Sequence, residues 1–158
     1  MTLAFFDYPG GSALQAPYDA TFFRSATRDD WEKLFAHVGV EPFVAGQIIV
    51  EGGTPGDAFF IVLDGAVEVV ARGVFGKRVI ARIDAGSVFG EISFLDGGIR
   101  TATIRGAEAG SMVRVTRDAF ERLRAWEPAL AQLILADLGR ICAQRLRRTL
   151  DRFNQPSR

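Results

Sequence analysis

The stretch Phe89-Gly90-Glu91-Ile92-Ser93-Phe94-Leu95-Asp96-Gly97-Gly98-Ile99-Arg100-Thr101-Ala102-Thr103-Ile104 sets one acid and one arginine nine residues apart in a glycine-flanked chain. Gly90 allows the backbone to approach a ligand closely, and residues 91–95 suffice for one helical turn whose free amides form an anion site suited to a phosphate. Arg100, returning on the next strand, offers a planar two-pronged donor to phosphate oxygens. Glu91, as a carboxylate, only accepts hydrogen bonds, so it suits a sugar hydroxyl and repels phosphate. The bland alternative is a buried structural ion pair between Glu91 and Arg100 that closes a hairpin and meets no ligand.

These residues need a scaffold. Between residues 40 and 116, short apolar runs alternate with Gly46, Gly52-Gly53, Gly56, Gly65, Gly73, Gly76, Gly86, Gly90 and Gly97-Gly98. Turn signals this dense predict an all-β sandwich or barrel. Strands are expected near 48–51, 58–63, 66–72, 78–83, 101–107 and 111–116, with Asp64-Gly65 as the strongest hairpin turn. Ahead of them, Trp31, Leu34, Phe35 and Val38 recur at helical spacing between the acids Asp29 and Asp30 and the stop at Gly39. After Thr116 glycine nearly vanishes. Residues 117–125 predict one helix, and Pro128 opens a second reaching about residue 153. Leu135, Leu138, Cys142, Leu146, Leu150 and Phe153 form its apolar stripe. The expected fold is mainly β with flanking helices: a jelly-roll β-barrel (double-stranded β-helix) with an N-terminal helix and two C-terminal helices. Residues 1–27 are expected to form an irregular leader docked through its Phe residues, 28–153 the functional domain, and 154–158 a tail.

At 158 residues the chain has the size of one domain, and 48% apolar with 24% charged residues is an ordinary globular balance. Nineteen basic residues match nineteen acidic ones, so no global positive field draws in nucleic acid or anionic lipid. Cys142 is the only cysteine and His37 the only histidine. No intramolecular disulfide, cysteine zinc cluster, His-rich metal site, or Ser/His/acid or Cys/His catalytic set can be assembled from them. The expectations are therefore no catalytic residue, no metal and no enzyme. His37 is read as structural or solvated, and Cys142 as a small buried hydrophobe. Residues 1–23 contain no Lys or Arg, unlike a signal peptide, and no apolar run approaches a membrane span, so the expected location is cytoplasmic.

The segment from Phe89 to Ile104 strongly resembles the phosphate-binding cassette of cyclic-nucleotide-binding domains, the family of catabolite-activator-like regulators, protein kinase A regulatory subunits and nucleotide-gated channels. The likeness lies in Phe89-Gly90-Glu91 followed by Arg100-Thr101-Ala102-Thr103-Ile104. It extends to Gly46-Gln47-Ile48-Ile49, Gly56-Asp57-Ala58-Phe59-Phe60-Ile61-Val62, Leu63-Asp64-Gly65-Ala66-Val67 and the closing helices, covering residues 30–150. The resemblance implies a ligand-binding set of Gly90, Glu91, Ile92, Ser93, Arg100 and Thr101. In it Glu91 accepts the ribose 2′-hydroxyl, Arg100 neutralises the cyclic phosphate, and the amides of Gly90 and Ser93 with the Thr101 hydroxyl complete the cradle. Two positions depart from the common pattern: Ser93 stands where Ala or Gly is usual, and Ile99 where Pro often precedes the arginine.

The implied ligand is cAMP or cGMP, with no cofactor. Thr101 leaves the base open, since a hydroxyl at that position accompanies cGMP in eukaryotic members while bacterial members with Ser there can bind cAMP. Capture is expected to rearrange the C-terminal helices toward a separate effector protein. A homodimer through the last helix is a further expected partner; DNA and membrane are not. Arg140, Arg145, Arg147, Arg148, Arg152 and Arg158 are read as a solvated helix face near the C-terminal dipole. The alternatives are a non-binding β-roll scaffold and a fragment of a transcription regulator.

Overall fold

The computed structural model describes residues 21–154; residues 1–20 of the expected leader and 155–158 of the tail lie outside the described residues. The first element, α1 (Arg28–Phe35), opens with a capping box in which Thr27 Oγ1 accepts from the Asp30 amide and Asp30 accepts from the Thr27 amide. Its Leu34 is fully buried, while Phe35 stays partly exposed.

Six strands follow: β1 (Val40–Phe43), β2 (Ile48–Val50), β3 (Ala58–Gly73), β4 (Gly76–Asp84), β5 (Val88–Phe89) and β6 (Thr103–Thr116). All pairings are antiparallel, in the order β1-β6-β3-β4, with β2 also on β6 and β5 on β3. The mainly β fold with flanking helices stands as expected, but the hydrogen-bonded sheet does not close into a barrel. Three helices complete the order: α2 (Glu91–Asp96) between β5 and β6, then α3 (Arg117–Trp126) and α4 (Pro128–Asn154).

The expected hairpin at Asp64-Gly65 is not a hairpin. The chain runs straight through as the 16-residue β3, and the two strands expected at 101–107 and 111–116 likewise merge into the 14-residue β6. Gly65, at φ +73, lies in a stretch of shifted register on β3 opposite Gly110 and its neighbours. A Cβ at Gly65 would sit 2.4 Å from the Ala109 carbonyl, and one at Gly110 would sit 2.0 Å from the Asp64 carbonyl. The glycine therefore serves close backbone approach at a bulge, a role that shares its sequence signature with a turn. The actual hairpin joins β3 to β4 through Val74-Phe75, flanked by the paired Gly73 and Gly76.

Alternation along β3 divides the core. Phe59 and Ile61 face the helices, packing with Phe94, Phe120, Leu123, Leu130, Ile134, Leu138 and Ile141, and with Phe22 and Phe23. Phe60, Val62, Val67 and Val69 face the interior of the roll, with Phe89, Ile104 and Met112.

On α4 the buried face differs from the expected stripe. Leu130, Ile134, Leu138, Ile141, Arg145 and Thr149 are buried, whereas Leu135, Leu146, Leu150 and Phe153 are exposed and Cys142 is half-buried. The expected stripe and the buried set share Leu138 and both recur at three- and four-residue steps, so periodicity alone does not choose between them. Packing selects the face bearing Ile134 and Ile141.

Candidate functional site

The site forms where β5 ends. Gly90 takes φ +76 and caps α2, turning the chain sharply enough for a six-residue helix to leave the sheet. A side chain at Gly90 would come within 2.8 Å of Arg100 Nη1 and 3.1 Å of the Ala58 carbonyl. Glycine is needed here both for the left-handed turn and for the space. Phe94 anchors α2: its ring meets Phe59 and Phe120 edge-on at centroid distances of 4.9 and 5.5 Å, and the Arg117 guanidinium lies 4.4 Å over its face. Arg117 also donates to the Phe94 carbonyl.

Arg100 enters from the opposite side. The Gly53 amide donates to the Arg100 carbonyl and the Arg100 amide to the Thr54 carbonyl, both at 2.8 Å, with an isolated bridge between Pro55 and Ile99. The side chain is 7% exposed, and Nη1 donates to the carbonyls of Ala58 (2.7 Å) and Gly90 (2.9 Å) and to Ser93 Oγ (2.7 Å). The Ser93 hydroxyl thus fixes the arginine. Gly56 makes room for it, since a Cβ there would lie 1.9 Å from Arg100 Nε.

Gly90, Glu91, Ile92, Ser93, Arg100 and Thr101 all line one shallow cleft that opens to solvent, joined by Val50, Ala102 and Ile104. Thr101 stands exposed at its edge, while Ser93 and Glu91 are buried. The structure therefore gathers all six expected residues around one concavity.

Glu91 does not pair with Arg100 as the ion-pair alternative supposed. Its partner is Arg145 of α4, with Arg145 Nη1 to Glu91 Oε1 at 2.6 Å and neither residue exposed. Arg145 Nη2 donates to the Val88 carbonyl at 2.8 Å and lies 3.5 Å from Ser87 Oγ. One guanidinium thus grips both the end of β5 and the first residue of α2. Among the described residues, Glu91 Oε2 is buried without a hydrogen-bond partner.

This corrects the reading of the C-terminal arginines as a uniformly solvated face. Arg145 is fully buried, and Arg140 is bound to Asp137 at 2.7 Å and to the Thr21 carbonyl at 2.6 Å. Sequence alone did not single out Arg145: it falls four residues after Ile141 and seven after Leu138, on a face that only packing selects. A charged residue at such a position calls for a buried counter-charge.

Cys142 sits one turn before Arg145. Burial pushes its thiol up to about 12, with the Glu91 charge adding and the Arg145 charge opposing. A thiol held this far from ionisation fits a packing role. Among the described residues no group of three or more His, Cys, Asp or Glu could hold a metal ion, and no helix is long and apolar enough to cross a membrane.

A family model described as the cyclic nucleotide-binding domain matches residues 40–125, more than half the chain. The chain is 35% identical over 81 residues to a cAMP-dependent protein kinase regulatory subunit of Emericella nidulans, covering 51% of this chain and 19% of that protein. It is 32% identical over 108 residues to a CRP-like cAMP-activated global transcriptional regulator of Mycobacterium tuberculosis, covering 68% of this chain and 46% of the regulator. The chain thus spans less than half the length of each of these relatives. Among solved structures, a cyclic nucleotide-binding domain from Methylobacillus flagellatus matches with a TM-score of 0.73 at 25% identity, covering 89% of this chain and 75% of that one. The Thermus thermophilus catabolite activator protein shares the fold, with a TM-score of 0.72 at 24% identity over 84% of this chain and 61% of that one.

Proposed function

Because the chain belongs to the cyclic nucleotide-binding domain family, we propose that it captures a cyclic nucleoside monophosphate in the cleft between α2 and Arg100. The observation that carries this reading is that Arg100 and Glu91, both buried, line one glycine-flanked cleft, and that Glu91 Oε2 has no hydrogen-bond partner among the described residues. Arg100 meets the cyclic phosphate, exchanging part of its bonding to the Ala58 and Gly90 carbonyls for charged phosphate oxygens. Glu91 accepts the ribose 2′-hydroxyl. The amides of Gly90 and Ser93 and the Thr101 hydroxyl supply further donors, and Ile92 lines the wall. Micromolar affinity needs about −8 kcal/mol, within reach of a charged phosphate cradle with ribose contacts.

The ligand is cAMP or cGMP. Two relatives whose names specify cAMP support cAMP as the first to try. The family is a regulatory ligand-binding domain and not a class of enzyme, and no catalytic role is assigned to any residue. The functional unit is residues 28–153, because α4 supplies Arg145 to the site.

The signal leaves through α4. Binding at α2 biases how α4 docks, and a separate effector protein reads the difference. The exposed stripe of Leu135, Leu146, Leu150 and Phe153 supports α4 pairing with a second copy of the chain. Equilibrium titration with cAMP and cGMP tests the reading: saturable binding is expected, and no binding of either nucleotide would overturn it.

A further inference from the structure

We infer that the β3–β4 hairpin docks the domain on an anionic lipid surface: Val74 and Phe75 enter the boundary between headgroups and acyl chains, and Arg72, Lys77 and Arg78 meet the lipid phosphates. The inference is independent of the cleft at α2, which none of these five residues lines.

Val74-Phe75 forms the centre of a two-residue turn closed by the Gly73–Gly76 pair. Glycine, asparagine and aspartate are the usual residues of such turns. Two large apolar side chains stand there instead, Phe75 fully exposed and Val74 85% exposed. The flanking glycines carry no side chain to shield them, and the hollow beside the tip is lined by residues of the hairpin alone. Neither Val74 nor Phe75 joins a core cluster, so packing within the fold does not account for them. A projecting apolar tip of this kind fits an external apolar phase.

Charge commits the tip to an anionic one. Residues 69–81 contain Arg72, Lys77 and Arg78 and no acid. All three bases are exposed. Among the described residues none of them forms an ion pair, whereas Arg82 is held by Asp84 and Glu108, Arg105 by Glu68 and Arg114 by Glu41. Arg72 and Lys77 stand directly opposite each other across the two strands, a like-charge pairing that an overlying anion relieves. Arg78 is opposite Ala71 and so lies on the other face, which places positive charge behind the tip on both sides of the hairpin. At about 3.3 Å per residue, Lys77 and Arg78 begin roughly 7–10 Å behind Phe75, a spacing that suits apolar burial to about 5–10 Å beneath the headgroups. The zero net charge of the whole chain, which argues against an anionic surface, conceals this local excess. A nucleic acid would satisfy the bases but offer the apolar tip no matching surface; an anionic leaflet accommodates both.

The test is co-sedimentation of the full chain with vesicles of phosphatidylcholine alone and of phosphatidylcholine with about one-third phosphatidylserine, at low and at physiological salt. The wild type is expected to bind the mixed vesicles roughly tenfold more tightly than the neutral ones, and salt should weaken that binding. Val74→Ser/Phe75→Ser should lose most of the binding, and Arg72→Gln/Lys77→Gln/Arg78→Gln should lose the preference for phosphatidylserine. The substituted side chains are exposed, so both variants should unfold at the wild-type urea concentration. A wild type that binds neither vesicle, or both equally, would overturn the inference, as would binding that survives in both variants. Binding to duplex DNA without binding to vesicles would assign the bases to nucleic acid, and a wild-type dimer that the tip variant dissociates, again without vesicle binding, would assign the tip to a second copy of the chain; either result would overturn it. Fluorescence of Phe75→Trp reads insertion directly: acyl-brominated phosphatidylserine should quench it beyond the wild-type level, and equal quenching would contradict entry of the tip.

Discussion

The carboxylate of Glu91 and the guanidinium of Arg145, 54 residues apart in the chain, meet at 2.6 Å with almost no solvent access to either side chain. This contact joins the cleft at α2 to the C-terminal helix. Removing one partner strands the other as a buried charge, which typically costs about 3–5 kcal/mol, whereas replacing both with apolar residues of similar volume is often neutral. Arg145→Met should therefore destabilise the fold by that amount in urea, and the Glu91→Leu/Arg145→Met pair should recover most of the loss. Additive losses would show that the two charges are not energetically coupled.

Gly56 offers a way to disturb Arg100 without deleting it. A Cβ there would overlap the guanidinium at 1.9 Å from Nε, but the atoms displaced belong to a flexible side chain. Gly56→Ala should lower nucleotide affinity at least tenfold while changing stability by only about 1 kcal/mol. The two effects separate in parallel titration and denaturation experiments.

Much of this site was legible in sequence because its parts are local. Gly90, Glu91 and Ser93 sit within four residues, and the glycines around them announce the turn that sets their geometry. Arg145 was harder. Its role depends on which face of α4 packs on the sheet, and two interleaved apolar stripes, one through Ile134 and Ile141 and the other through Leu135, Leu146 and Leu150, have the same period. Tertiary packing decides between them. The same ambiguity affected Asp64-Gly65, where a glycine that serves a bulge in a 16-residue strand resembles a glycine that ends one. The open sheet edge likewise follows from pairing partners far apart in the chain, which local patterns do not encode.

The thiol of Cys142 gives a pH signature. Its folded-state value is raised from the ordinary 9.0 to about 12, chiefly by burial. The thiol's contribution is therefore fully present below about pH 9 and is lost as pH rises toward 12. Wild type should lose stability over that window more steeply than Cys142→Ala, and Cys142 should alkylate slowly at pH 8. Equal slopes for the two proteins would contradict the burial assigned to this residue.

The exposed side of α4 predicts self-association. Leu146 and Leu150 lie one turn apart on a helix whose opposite face is already packed. Sedimentation equilibrium should report a dimer for the wild type and a monomer for Leu146→Glu/Leu150→Glu, with the cleft still binding nucleotide. A monomeric wild type at high concentration would refute pairing through this stripe.

The central claim is nucleotide capture by Arg100, and calorimetric titration of the nucleotide-free protein with cAMP and cGMP, repeated on Arg100→Ala, tests it most directly. The account predicts saturable binding to the wild type and a loss of about 2–5 kcal/mol in the variant, because the bound phosphate loses its paired charge. No binding of either nucleotide to the wild type, or a change of less than threefold in Arg100→Ala, would contradict it.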